Sequence, residues 1–173
     1  YFSDNGRYFL FKSEREGKDK LVVMDLESGN MTFVKKTPMY GWAPAWNNNK
    51  VYVGDFSKIV VIDIENYSEK EIHFPGNNVA TFIHFDPSGE KLLFVEDLFQ
   101  NHKALSVMNS NGTDYKQLFV LDKEKEFYLD HPTFINDNEI MFLTRGENSN
   151  FSGDFNKPYI INLNGEKRKF VRT

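Results

Sequence analysis

The sequence predicts an all-β fold made of four similar repeats, and three observations support this. An aromatic residue, a polar turn and an apolar run follow one another four times along the 173 residues. A second apolar run, ending in Asp or Asn, comes after each of these elements. Aromatic residues make up 16% of the chain, with 17 Phe among them, and flat rings pack well on the pleated surface of strands.

The first element of the repeat is recognised by its turn. Each copy places an aromatic residue before a turn rich in Asn, Asp or Gly, which tolerate positive φ in tight hairpins. Gly6 and Gly89 end this turn in the first and third copies, whereas the second and fourth copies lack the glycine. The four copies begin at Phe2, Trp46, Phe85 and Phe134.

The second element is an apolar strand that ends in a short polar side chain before another turn. The four end residues are Asp25, Asp63, Asn109 and Asn162. Because every repeat fills this place, we interpret these residues as caps of the following turn rather than as catalytic carboxylates. A short strand closes each repeat, so the unit is strand–turn–strand–loop–strand–turn–strand, with a period of roughly 40–50 residues that is typical of propeller blades.

Two of the apolar runs, residues 59–62 and 92–95, are apolar at consecutive positions, which indicates strands buried on both faces. Helices usually cover such strands, yet only residues 122–127 have a helix-like composition. Blades packed face to face bury antiparallel strands without helices. The sequence therefore predicts an all-β fold, a β-propeller of four-stranded antiparallel blades, as a single domain or as part of a larger propeller. The approximate blades are 1–35, 36–75, 76–122 and 123–173.

The repeat resembles that of the TolB-like propeller family, a relative of the WD-type repeats. Residues 43–46, 85–89 and 107–112 are similar to its pattern of Pro-x-aromatic-Ser-Pro-Asp-Gly followed by an apolar strand and an apolar-Met-Asp-x-x-Gly strand. The Trp-Asp dipeptide of the WD-type repeat is absent. The resemblance implies a bacterial binding scaffold outside the cytoplasm, in the periplasm, on the cell surface or secreted, and a ring of more than four blades.

Composition and motifs narrow the classes of function. The net charge of −4 leaves no basic field for nucleic acid. The chain contains no Cys, which excludes disulfides and thiolate chemistry, and no apolar run is long enough for a membrane span. It also lacks GxSxG, HExxH, P-loop and GxGxxG motifs. We therefore expect no catalysis within this chain and no cofactor.

The four histidines are widely spaced, and we interpret them as structural rather than as metal ligands. They are His73, His84, His102 and His131. Resemblance to the oligogalacturonate-lyase propellers implies an alternative, in which histidines from different blades assemble a metal site around the channel. Our expectation is that no metal binds.

Candidate binding residues lie on the loops expected at one end of the propeller, where the second strand joins the third and one blade joins the next. The predicted loops are residues 38–42, 96–103, 127–131 and 145–156. Long loops on a rigid scaffold commonly carry function. The alternative is that the aromatic residues among them pack between blades. The candidates for ligand or partner binding are Tyr40, Trp42, His102, Tyr128, Asp130, His131 and Arg145.

These observations favour a non-catalytic scaffold that presents loops to a protein or peptide. One alternative is the gating propeller of a serine hydrolase resembling the prolyl-oligopeptidase and dipeptidyl-peptidase group, with its catalytic domain outside this chain. Another is a metal-dependent polysaccharide lyase-like propeller. The first and last repeats are as apolar as the middle ones, which predicts exposed blade faces. Strained closure of the four blades, further blades in the parent protein, or self-association would cover these faces, and the sequence favours further blades.

Overall fold

The computed structural model describes residues 1–13, 20–36, 43–98, 102–121, 126–146 and 157–170. Strands are the regular structure of these residues, which include no helix and therefore none that could cross a membrane. The strands are β1 Tyr8–Ser13, β2 Lys20–Asp25, β3 Met31–Lys36, β4 Ala45–Asn47, β5 Lys50–Asp55, β6 Lys58–Asp63, β7 Glu69–His73, β8 Val79–Phe85, β9 Lys91–Leu98, β10 His102–Asn109, β11 Lys116–Val120, β12 Glu126–Phe134, β13 Glu139–Gly146, β14 Lys157–Asn162 and β15 Lys167–Lys169.

The strands form four antiparallel sheets, and within each sheet every strand pairs with the strand that comes next to it in the sequence. Blade 1 contains β1–β3, blade 2 contains β4–β7, blade 3 contains β8–β11, and blade 4 contains β12–β15. Blade 1 has three strands, and Phe2 forms an isolated bridge to Phe9 where the innermost strand lies in the other blades. This arrangement confirms the predicted fold class of antiparallel blades.

The register of the second and third strands reproduces the repeat. The capping residue at the end of the third strand faces the first residue of the second strand in every blade. Its backbone N–H donates across the following turn each time, to the carbonyls of Asn30, Ser68, Thr113 and Glu166. The equivalence of the four positions is therefore confirmed.

The side chains at these positions cap turns, as the sequence indicates. The Oδ1 atom of Asp25 accepts the backbone N–H of Glu27 at 2.9 Å. Asp63 makes the equivalent contact with Glu65 at 2.9 Å. Asn162 Oδ1 accepts two backbone N–H groups of its own turn, at 3.0 and 2.9 Å. These local hydrogen bonds give the repeated residues a structural role.

Three apolar clusters fill the spaces between successive blades. We call the face of a blade that is turned toward the preceding blade its leading face, and the opposite one its trailing face. Residues 51, 53, 60 and 62 form the leading face of blade 2, and residues 92, 94, 106 and 108 form that of blade 3. Residues 140, 142, 159 and 161 form the leading face of blade 4. All twelve are buried, so the blades pack as the consecutive apolar runs predict.

The backbones of blades 2 and 3 approach each other closely at Gly54 in β5. A Cβ atom at this position would lie 1.8 Å from the carbonyl oxygen of Ala80 in β8. That separation is far inside van der Waals contact, so the two backbones can lie this close only because residue 54 has no side chain.

Several segments predicted as loops are strands instead. Glu96 belongs to β9, residues 102–103 to β10, residues 127–131 to β12, and Arg145 to β13. Their charged and aromatic composition suggested loops, but antiparallel pairing satisfies the backbone whatever the side chains are. The backbone of His102 pairs with that of Leu98. The helix-like interpretation of residues 122–127 is wrong where it can be examined, because residues 126 and 127 lie in a strand; residues 122–125 fall outside the described residues.

Candidate functional site

The inner edges of blades 2, 3 and 4 share a kink at the same position, which lies within β8 and β12 and two residues before β4. Ala43, Phe82 and His131 each lie three residues before the aromatic residue of the repeat, and their φ angles are 61°, 50° and 47°. Positive φ is uncommon for residues other than Gly. The pairing register also shifts beside Phe82 and His131. Such bulges redirect side chains, so the repeat presents one kinked position from each of these three blades.

A cavity of about 760 Å³ opens between these innermost strands. Its walls include Ala43, Phe82 and His131, together with Trp46 and Phe85. Residues 47–48 and 86–89, which also line it, form the tight turns that join first strands to second strands. The cavity therefore lies at the tight-turn end of the blades, opposite the loop end at which the sequence places a binding surface. Its volume is typical of ligand sites, which span roughly 300–1,000 Å³.

Two histidines on neighbouring strands give the cavity its electrostatic character. His84 on β8 and His131 on β12 both line it. Burial lowers the pKa of His84, and electrostatic repulsion from the nearby His131 side chain lowers this pKa further. His84 is therefore neutral at physiological pH and offers one donor and one acceptor nitrogen. The ring centroids of His131 and Phe82 are 5.6 Å apart.

The rim of the cavity is acidic and is held by turn hydrogen bonds. Asp86 accepts the hydroxyl of Ser88 at 2.7 Å and the backbone N–H of Lys91 at 2.8 Å. Asp4 lies on the exposed side of the rim. Asn47 donates to the carbonyl of Gly89 at 2.9 Å, which ties the turn of blade 2 to that of blade 3. The rim is thus fixed in place before any ligand arrives.

The structure brings one of the seven predicted binding residues, His131, to the cavity. Tyr40 and Trp42 fall outside the described residues. For His102, Tyr128, Asp130 and Arg145 only the backbone is described, and it lies in strands rather than in the predicted loops. The sequence analysis missed Trp46, Phe82, His84 and Phe85 as a group. Their recurrence at fixed distances from the repeat turn was the available signal.

A buried carboxylate in blade 3 also escaped the sequence analysis. Glu96 on β9 is fully buried. It accepts hydrogen bonds from Ser106, from the Tyr115 hydroxyl at 2.5 Å, and from Asn78 at 2.7 Å. Burial, reinforced by the hydrogen bond to Glu96, raises the pKa of Tyr115 well above its usual range. Because several donors satisfy this carboxylate, its role is to join blade 3 to the preceding connection.

The metal site implied by the lyase resemblance needs at least three convergent ligands. In the described ranges, no three side chains of His, Cys, Asp or Glu come together in such a group. His84 and His131 by themselves do not supply the donor set, so we derive no chemistry through a metal.

No family model matches the chain, and no curated protein matches it by sequence. Solved structures match over almost its full length. An oligogalacturonate lyase in complex with manganese superposes with a TM-score of 0.74 at 16% identity, covering 97% of this chain and 50% of that one. TolB from Acinetobacter baumannii gives a TM-score of 0.67 at 16% identity, covering 99% and 42%. A prolyl endopeptidase gives 0.68 at 12% identity, covering 98% and 25%.

The chain thus spans half or less of the length of these solved proteins. At such identities the similarity identifies the fold and not the activity. A lyase, a TolB protein and a peptidase share this architecture, as the sequence resemblance leads one to expect. The chain therefore has a β-propeller fold of antiparallel blades, of the kind found in the TolB proteins.

Proposed function

We propose that this chain is a non-catalytic scaffold that binds a segment of a protein or peptide in the cavity between its innermost strands. The observation that carries the proposal is the cavity itself, which is lined by equivalent kinked positions of three blades. Equivalent positions of three blades form the walls of the cavity. Their side chains differ from blade to blade, which allows the cavity to recognise a particular ligand.

The chemistry of the lining favours a peptide. Trp46, Phe82 and Phe85 provide aromatic walls, and aromatic residues are enriched among the anchors of protein interfaces. Asp4, which is exposed on the rim, can accept hydrogen bonds from backbone amides or from basic side chains. The same acidic rim and the net charge of −4 oppose nucleic acid as the partner.

The loop end of the blades is the second proposed contact surface. Its candidates are the predicted residues other than His131, which are Tyr40, Trp42, His102, Tyr128, Asp130 and Arg145. A partner that extended along the innermost strands would contact both the cavity at the tight-turn end and the loop end of the blades. The experiment below separates the two surfaces by using variants of each.

Two other functions remain as alternatives. A gating propeller of a serine peptidase is compatible with the prolyl endopeptidase match, in which the shared region is 25% of that protein. A lyase-like role is compatible with the approach of His84 to His131 in the cavity. The full reading frame tests the first alternative, since a hydrolase domain carrying GxSxG would support it. Metal analysis of the purified protein tests the second.

The binding proposal is tested by panning a random peptide phage library on the purified chain. Peptides that enrich are measured by fluorescence titration on a Trp42→Phe variant, in which Trp46 is the remaining tryptophan. We expect binding to perturb Trp46 emission, because this ring lines the cavity. Phe82→Ala and His131→Ala should each weaken binding about tenfold or more, the range expected for an anchor residue.

Ile135→Ala is the matched control, because Ile135 is an exposed apolar residue that does not line the cavity. If the cavity variants bind the peptides as tightly as the unmodified chain while Arg145→Ala abolishes binding, the cavity is not the site. The loop end would then replace it. If no peptide from the library enriched, the result would contradict peptide binding at either surface.

A further inference from the structure

A second, smaller cavity lies beside the one described above, between the tight turns of blades 1 and 2. Its volume is about 200 Å³, roughly a quarter of that of the larger cavity. The two cavities share Asp4, Trp46 and Asn48 as lining residues. We call the smaller one the side cavity, and its remaining lining residues are Ser3, Asn5 and Asn49. It extends the proposed peptide site by a space that suits a single side chain.

Comparison with the next pair of blades shows why this space is open. Between blades 2 and 3, the side chain of Asn47 donates to the carbonyl of Gly89 at 2.9 Å and joins the two tight turns. Ser3 holds the position of Asn47 in blade 1, but its hydroxyl donates to Asn5 of its own turn at 2.7 Å. Among the described residues, no hydrogen bond joins the tight turn of blade 1 to that of blade 2. The gap between these two turns therefore remains open to a ligand.

The side cavity offers oxygen atoms that accept hydrogen bonds. The Nδ2 atom of Asn48 donates to Asn47 at 3.1 Å. The Nδ2 atom of Asn49 donates to Glu65 at 2.7 Å. Within the described ranges, the Oδ1 atoms of both asparagines have no donor, and the carboxylate of Asp4 makes no hydrogen bond or ion pair. A ligand group that fills this space must therefore donate hydrogen bonds.

The charged groups at the side cavity are negative. Asp4 lines the cavity, and Glu65 accepts a hydrogen bond from one of its asparagines. In the part of the chain that the structure describes, no Lys or Arg lines either cavity. Arg7 follows closely in the sequence, but its guanidinium donates to Asp25 at 2.9 Å and lies 3.6 Å from Glu27. The negative charge of Asp4 is therefore available to a cation from solution.

We infer that the side cavity binds the side chain of an arginine belonging to the peptide in the larger cavity, an inference that rests on the proposed peptide-binding function. A guanidinium group carries its N–H donors in one plane and has no acceptor. It therefore matches a space that offers a carboxylate and two amide oxygens, and hydrogen bonds to charged groups are the stronger ones. The ring of Trp46 borders the same space and provides an apolar wall for the methylene stem of the side chain.

A divalent metal ion fits these oxygen atoms less well than a guanidinium group does. Calcium takes about six to eight oxygen ligands, commonly from several carboxylates. Among the described side chains that line the side cavity, Asp4 supplies the one carboxylate, and the described residues contain no group of three His, Cys, Asp or Glu side chains that could hold a metal. An organic cation with several N–H donors is therefore the ligand that this site favours.

The test titrates the purified 173-residue chain with N-acetylarginine amide and follows the side-chain amide resonances of Asn48 and Asn49 by NMR. N-acetylcitrulline amide is the matched control ligand, because it has a similar shape but no charge. We expect both asparagine resonances to shift and to saturate with the arginine compound. The citrulline compound should bind at least about fivefold more weakly, because it loses the charge-assisted hydrogen bonds.

Two variants of the chain separate a specific contact from the overall charge. Asp4→Asn keeps the size of the side chain and should weaken binding of the arginine compound about five- to tenfold. Asp137→Asn removes the same charge from an exposed residue in the tight turn of blade 4, outside both cavities, and should leave the affinity unchanged. Circular dichroism establishes that both variants are folded. Peptides that enrich on the chain should contain arginine, and replacing it by citrulline should weaken them to a similar extent.

Equal affinity for the arginine and citrulline compounds would overturn the inference, as would undiminished binding to Asp4→Asn or the absence of any shift at high millimolar concentration. Calcium chloride that shifted the same resonances at lower concentration than the arginine compound would also overturn it, because the site would then be a metal site. If enriched peptides bind the larger cavity without a basic residue, the inference fails and the proposed function stands. If the arginine compound binds but no peptide enriches, the arginine site is supported and the proposed peptide binding fails.

Discussion

The leading faces of blade 3 and blade 1 have the same design but different surroundings. Phe94 and Phe11 occupy equivalent register positions on the second strand of their blades. Phe94 is fully buried between blades 2 and 3, and its ring centroid lies 5.0 Å from that of Phe74. Phe11 is half-buried and contacts Phe9 of its own blade, with ring centroids 5.7 Å apart. The difference shows that the repeat specifies an interface even where the described residues provide no second blade.

The largest expected effect is the difference in stability between the alanine variants of these two phenylalanines. Phe94→Ala should lower the free energy of unfolding by about 3–5 kcal/mol, because it removes a buried ring and leaves a cavity. Phe11→Ala should lower the free energy of unfolding by about 1–2 kcal/mol, because its ring is already partly in water. Urea denaturation of both variants measures the difference. Equal losses would mean that Phe11 is as well covered in the folded chain as Phe94.

A smaller effect concerns the buried carboxylate that distinguishes blade 3 from blade 1. Glu96 and Ser13 are equivalent in register, but only Glu96 is fully buried within a hydrogen-bond network. Glu96→Ala should cost about 2–3 kcal/mol, because it leaves the Ser106 and Tyr115 hydroxyls without their acceptor. Glu96→Gln keeps one acceptor oxygen and should cost less.

Ser13→Ala serves as the control for the carboxylate and should change stability little. Thermal and urea unfolding of the three variants provide the comparison. If Glu96→Ala left the free energy of unfolding unchanged, water or a rearranged side chain would be replacing the carboxylate. Glu96 would then not be what joins blade 3 to the connection before it.

The stability of the chain should depend on pH through His84, which lies at the inner edge of blade 3. The pKa of His84 is lowered by burial and by His131, so between the folded and unfolded pKa values the unfolded state binds the proton and the folded state does not. The free energy of unfolding should therefore fall as the pH drops below about 6.5, the ordinary pKa of histidine. It should level off once the pH passes below the folded pKa.

His84→Gln should flatten this part of the stability profile. The measurement is urea denaturation at a series of pH values between neutrality and mild acid. An unaltered slope in His84→Gln would assign the pH dependence to other groups.

The smallest expected effect compares the outer turns of blades 1 and 2. Gly29 has a φ of 73°, and its counterpart Tyr67 has a φ of 57°. A left-handed conformation is costly for a residue with a Cβ atom, and the Tyr67 side chain is 47% exposed. Tyr67→Gly should therefore stabilise the chain by about 0.5–1 kcal/mol, after allowing for the entropy of the added glycine. Calorimetry should show a higher melting temperature, and Gly29→Ala should show a lower one.

Much of this fold was predictable because the residues that form its turns can be recognised in the sequence. The capping residues at Asp25, Asp63, Asn109 and Asn162 and the aromatic residue of each repeat are spaced regularly in the sequence and equivalently in the sheets. Side chains that bond to their own turn act over a few residues, so their pattern is readable without knowledge of the fold.

The cavity was not predictable in the same way. Ala43, Phe82 and His131 have positive φ; histidine is enriched in this conformation, but alanine and phenylalanine are not, so the residue types do not predict the shared kink. The kinked position recurs three residues before the aromatic residue of three repeats, but the three residue types found there share no property that indicates a cavity. The hydrogen-bond partners of Glu96 are likewise brought together from residues 78, 106 and 115 only by the complete sheet.

The order of strands within each blade also has a consequence for how the chain folds. Every strand pairs with its immediate neighbour in the sequence, so each sheet closes through short hairpins before any blade must find another. Loop closure over such short distances is fast. Contacts between blades come afterwards, and both faces of blades 2 and 3 pack against described blades. Their backbone amides should therefore exchange with solvent later than those of blade 1, in which Phe9 and Phe11 are only half-buried.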